Sequence, residues 1–86
     1  MTEPTTLIPL SQARAGQRVR IHSLPQQPEC RSRLAAMGIQ ISSELEVLRL
    51  GAPGGLLHLA NGFLEFMLRR DVAHHMTVEL LANASP

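Results

Sequence analysis

The chain has 86 residues, of which 44% are hydrophobic and 17% charged, enough apolar material for one small core and too little charge for an intrinsically disordered tail. Eight basic residues against seven acidic ones leave a formal net charge of +1, so no strong field is present to hold DNA, RNA or an anionic membrane by charge alone. Every basic residue is an arginine, which excludes Schiff-base chemistry and a phosphate-loop lysine.

Residues 7–81 are expected to form a single domain between flexible termini at 1–6 and 82–86, the first polar and proline-bearing and the second ending in small residues. Pro9 to Gly16 reads as one short helical turn that Ser11 can cap and Gly16 can end. In Arg18 to Leu24 the apolar Val19 and Ile21 alternate with Arg18, Arg20 and His22, a strand with one buried face that turns His22 outward. Pro25 to Pro28 breaks it. Pro28 suits the first turn of a helix, and Cys30, Leu34 and Met37 fall on one stripe before Gly38 ends it. From Glu44 to Leu50 the strand pattern returns with Leu45 and Val47 on one side. Leu48 and Leu50 then have the wrong parity, which signals a bulge or an interface.

After the flexible Gly51 to Gly55 loop, Asn61-Gly62 lies between two apolar runs, a strong hairpin signal. With both residues in the turn, Leu59 is expected opposite Leu64 and Leu57 opposite Phe66, all on the core face. On the other face His58 meets Glu65, Ala60 meets Phe63 and Leu56 meets Met67. Arg69 to Ala73 reads as another single turn, and Met76, Val78 and Leu80 alternate as a last strand. Five short strands with one inserted α-helix predict a mainly β chain, a small SH3-like barrel.

Few features suggest catalysis. No Gly-rich phosphate loop, Cys-His arrangement or serine motif occurs, so the chain is read as a non-enzyme. Cys30 sits near a helix start with Arg31 and Arg33 close by, but its stripe makes it a small core hydrophobe. It has no partner for an internal disulfide, and no signal-like segment opens the chain, so a cytoplasmic protein is expected. The apolar stretches are far below the roughly 20 residues a spanning helix needs, so no direct membrane insertion is expected. His74 and His75 are adjacent and diverge. His58 and Glu65 are the better metal candidates, with His22 on the same outward side, but they supply too few ligands for a closed tetrahedral site. Only weak binding of a transition metal such as iron or zinc is therefore expected, and no cofactor is required. The outward apolar set Leu56, Phe63 and Met67, near Leu48 and Leu50, needs a cover: the inserted helix, a loop, a partner protein or a second copy of the chain. Arg31, Arg33, Arg49, Arg69 and Arg70 suit an acidic or phosphate-bearing partner surface. Two aromatics, Phe63 and Phe66, give no stacking platform for nucleic acid.

Taken in order, Pro9-Leu10-Ser11 with Gly16-Gln17, Arg33-Leu34 with Met37-Gly38-Ile39, Glu46-Val47-Leu48-Arg49, and Leu68-Arg69-Arg70 with Ala73, Met76 and Val78 resemble the FeoA family. These are small cytosolic proteins associated with the bacterial ferrous-iron permease FeoB. The chain departs from the family pattern at Ile41-Ser42, where Pro-Gly is usual, and at Gly55-Leu56, where Asp-Pro is usual. The resemblance implies support of iron(II) uptake by docking on FeoB, at or near its cytosolic GTP-binding domain, with recruitment to the inner membrane through that partner. Leu56, Phe63, Met67, Arg33, Arg49 and Arg69 are the candidate contact residues. SH3-like domains of this type also form the C-terminal modules of metal-dependent repressors, so a transition-metal-binding regulatory domain is the alternative.

Overall fold

A computed structural model of the chain describes residues 6–51, 55–62 and 64–81. Residues 1–5 and 82–86 of the ends expected to be flexible, the middle of the glycine-rich loop at 52–54 and Phe63 lie outside the described residues, whereas Thr6 is described and its carbonyl accepts from the Leu80 N–H at 3.3 Å. The elements are β1 (Leu7–Pro9), a 3₁₀ turn (Leu10–Gln12), β2 (Arg18–Ser23), α1 (Pro28–Ala36), β3 (Glu44–Leu50), β4 (Leu56–Asn61), β5 (Leu64–Arg69), α2 (Arg70–His74) and β6 (Thr77–Leu80). One antiparallel sheet runs in the order β1-β6-β2-β3-β4-β5. The fold is SH3-like, but with six strands instead of the expected five, and no pairing joins β1 to β5 among the described residues, so the sheet is not closed. The added strand is β1, which pairs with β6 through Leu7 and Glu79, Ile8 and Val78, and Pro9 and Thr77. As an edge strand it tolerates Pro9, which has no N–H to give.

Alternation decides which side chains are inside. Val19, Ile21, Leu45, Val47, Leu57, Leu59 and Val78 are buried on one face of the sheet, joined by Leu34 and Ile39 from α1 and its exit. Each such side chain contributes about 1.5–3 kcal/mol by leaving water. Ser11 does not cap the first turn; it is buried within it, and Pro9 holds the capping position. Pro28 occupies the first turn of α1 as expected. The helix ends where Gly38 takes φ +82°. There the Gly38 N–H donates to the Ala35 carbonyl at 2.9 Å and the Ile39 N–H to the Leu34 carbonyl at 2.8 Å. This is the double C-terminal cap that needs a left-handed residue, and its apolar partners Leu34 and Ile39 are both in the core.

The hairpin register differs from expectation by two residues. Asn61 pairs with Leu64, Leu59 with Phe66 and Leu57 with Leu68, so Asn61 belongs to the strand rather than to the turn, and Gly62 beyond it takes φ +66°. Asn61 is drawn into β4 because its side chain has another use: Asn61 Nδ2 donates to the Gly38 carbonyl at 3.1 Å, tying the end of α1 to the hairpin. A shift of two keeps the faces unchanged. Leu57 and Leu59 are buried and Phe66 packs partly against the core. Leu64, expected inside, moves past the end of the core and is 62% exposed.

The parity break in β3 is a bulge. Val47 pairs with Leu59 and Arg49 with His58, which leaves Leu48 as the extra residue. Without it, Arg49 would stand opposite buried Leu57; with it, Leu50 takes that place and Arg49 turns to the outer face.

Candidate functional site

The outer face of β3, β4 and β5 carries most of the residues singled out from the sequence. The register aligns Glu46 with Ala60 and Glu65, then Arg49 with His58 and Met67, then Leu56 with Arg69. Leu56 is 41% and Met67 53% exposed, so neither α1 nor a described loop covers them. Arg49 is exposed, and Arg69 makes one loose contact, 3.7 Å from Nε to Asp71 Oδ1. Four candidates, Leu56, Met67, Arg49 and Arg69, thus share one side of three adjacent strands. Arg33 does not join them. It is exposed on α1, whose Leu34 packs on the core side of the sheet. Phe63 lies outside the described residues.

Charges toward β2 and β6 are already matched. Arg18 and Arg20 each reach Glu44 at 3.2 Å, and Arg20 reaches Glu79 at 3.6 Å. Such exposed pairs contribute about 0.2–1 kcal/mol each. The apolar pair with Arg69 lies beyond this network, on β4 and β5, and Arg49 flanks it from β3.

Among the metal candidates, His58 Nε2 lies 2.9 Å from Glu65 Oε1. The two are not directly opposite, since His58 faces Met67 and Glu65 faces Ala60; they meet on the diagonal, which long side chains span. His22 is exposed at the other end of the sheet, beyond Arg20, beside a register shift in the β2–β6 pairing, and is not brought to them. No group of three or more His, Cys, Asp or Glu residues able to hold a metal ion occurs among the described residues. Cys30 is half-buried against the core.

A second feature escaped the sequence reading. Ser11, Leu56, Arg69, Arg70 and His74 line an open cleft of about 660 Å³ where the 3₁₀ turn meets α2. Ser11 Oγ is 3.4 Å from His74 Nδ1, and Arg70 Nη1 donates to the Ser11 carbonyl at 3.3 Å. Ser11 and Arg70 are 59 residues apart, so no local pattern announces their meeting. The one available signal was the paired Arg69-Arg70 before a short turn.

No helix among the described residues is long and apolar enough to cross a membrane. Comparison with curated proteins finds no match. Among solved structures, a FeoA protein from Chlorobium tepidum superposes with a TM-score of 0.81 at 29% identity, over 91% of this chain and 74% of that one. An iron uptake regulatory protein (FeoA) gives a TM-score of 0.76 at 22% identity, over 88% of this chain and 99% of that one. A manganese-dependent transcriptional repressor gives 0.81 at 21% identity, covering 93% of this chain and 45% of the repressor; at that identity the likeness is one of fold. The model of the FeoA domain matches residues 8–80. With that match spanning nearly the whole sheet, the chain belongs to the FeoA domain family.

Proposed function

We propose that this chain is a non-enzymatic accessory module of ferrous-iron uptake that docks on the FeoB permease and modulates transport or its GTPase cycle. The observation that carries the reading is the outer face of β3 to β5, where exposed Leu56 and Met67 adjoin Arg69, and Arg49 stands across His58 from Met67. An apolar centre with a cationic rim fits a protein surface that carries acidic groups, and arginine is the cation best suited to such contacts. The cytosolic GTP-binding domain of the permease is the proposed partner, which places the chain in the cytoplasm and at the inner membrane through that contact. With no resident cofactor in this scheme, the family's association with iron transport enters through the partner.

Pull-down from detergent-solubilised membranes with the tagged chain is expected to recover FeoB. Met67→Asp is expected to reduce recovery at least tenfold without changing stability by more than about 0.5 kcal/mol, as for an exposed site. Equal recovery with the variant refutes this face as the dock, and no recovery under any nucleotide condition refutes the partner. The fold shared with a metal-dependent repressor and the His58–Glu65 contact favour one second reading, a transition-metal-binding regulatory domain. That reading requires stoichiometric zinc or iron on the dialysed protein, lost in His58→Ala.

A further inference from the structure

Among the described residues Arg70 is a partly buried cation with no counter-ion. Its Nη1 donates to the Ser11 carbonyl, its Nε is buried with no hydrogen-bond partner among the described residues, and the ion pairs formed among those residues do not include it. A guanidinium drawn out of water and left unpaired is costly, and the cost is relieved when an anion reaches it. Asp71 is the carboxylate lining the same cleft, but its Oδ1 accepts from the Val72 N–H at 2.8 Å and lies 3.7 Å from Arg69 Nε. Arg69 is thus only loosely engaged, and its side chain is 77% exposed. The Ser11 hydroxyl and the His74 ring, one turn of α2 beyond Arg70, add polar groups to the cleft.

We propose that this cleft receives an oxyanion, a carboxylate or a phosphate group, on Arg70, with Arg69 as the second cation and Ser11 and His74 as neighbouring donors. Arginine binds both groups through paired N–H donors, and such charge-assisted bonds are about twice as strong as neutral ones. The open cleft of about 660 Å³ has room for a bulkier ligand that presents such a group to Arg70, and Leu56 on the cleft wall continues into the apolar outer face. Because it shares Leu56 and Arg69 with the docking face, the proposal rests on that reading for its biological partner. The binding of a small oxyanion needs no permease and is measured separately.

Backbone amide NMR titration of the full chain with sodium phosphate, and separately with N-acetylglutamate amide, tests it, each against sodium chloride at matched ionic strength. Saturable shifts at Ser11 and along Arg69 to His74 are expected for at least one probe. A response to phosphate alone assigns the site to a phosphate-bearing ligand, and a response to the glutamate derivative alone assigns it to an acidic side chain of a protein. Shifts no larger than those from chloride with both probes overturn the proposal. Arg70→Gln is expected to weaken binding at least tenfold, and unchanged affinity overturns the proposal. Should that variant fail to fold for want of its bond to Ser11, Arg69→Gln at the exposed position is expected to weaken binding about threefold, and no change there overturns it equally. Oxyanion binding without FeoB recovery removes the docking reading and leaves the site; recovery without oxyanion binding does the reverse.

Discussion

Ser42 holds a backbone conformation that its side chain opposes. It lies in the reversal between α1 and β3 at φ +78°, the one positive φ of a non-glycine residue among those described. The Ser43 N–H closes the turn on the Gln40 carbonyl at 3.0 Å, and the Ser42 N–H donates to the Ile21 carbonyl at 2.8 Å. A positive φ at the third position of a turn is where glycine belongs, after a proline that presets the second, and this is where family members commonly carry Pro-Gly. The left-handed conformation costs an ordinary L residue about 1–2 kcal/mol. Ser42→Gly removes that strain and gives back about 0.4–1 kcal/mol through the greater freedom of the unfolded chain. The expected net is a stabilisation of about 0.5–1 kcal/mol, or a rise in Tm of roughly 2–8 °C for a domain of this size. Urea and thermal unfolding followed by circular dichroism measure both. Ser42→Ala keeps the Cβ and the strain, so it is expected to stay near the parent. If the glycine and alanine variants unfold together, the strain is not where the backbone places it and the reasoning fails.

Gly38→Ala sets a Cβ 3.0 Å from Asn61 Nδ2 at φ +82°; left-handed strain plus a loosened hydrogen bond predict a loss of about 2–3 kcal/mol by urea unfolding. In a double-mutant cycle Asn61→Ala is expected to cost less in the Gly38→Ala background than alone, and strict additivity refutes the coupling. Leu59→Ala empties a fully buried position and is expected to cost about 2–5 kcal/mol, with near-zero loss ruling out its place in the core. Glu65→Ala removes a partner that is 62% exposed and is expected to change stability by less than about 1 kcal/mol in the same assay, a larger loss showing that the His58 contact is structural.

Most of the architecture was legible because it is written in local patterns. Two-residue alternation marked β2, β3 and β6, Pro28 and Gly38 bracketed α1, and the misplaced parity of Leu48 and Leu50 announced a bulge where one occurs. What failed depended on distant contacts. Asn61-Gly62 satisfies hairpin chemistry at either of two registers, and a carbonyl on the helix exit chooses between them by engaging the Asn61 side chain. β1 was missed because Leu7–Pro9 is short, contains proline and pairs only with the far end of the chain. The outer face was anticipated since a two-residue shift preserves which residues share a side. The cleft was not, since Ser11 and Arg70 meet only once β1, β6 and α2 are assembled.

The domain starts and finishes on neighbouring strands: β1 lies alongside β6, and the Leu80 N–H donates to the Thr6 carbonyl at 3.3 Å. Entry and exit therefore leave the fold side by side, at the edge of the sheet opposite β5. A unit wired this way can be spliced into a longer polypeptide, or have its ends sealed and reopened at the 51–55 connection, without re-threading any strand.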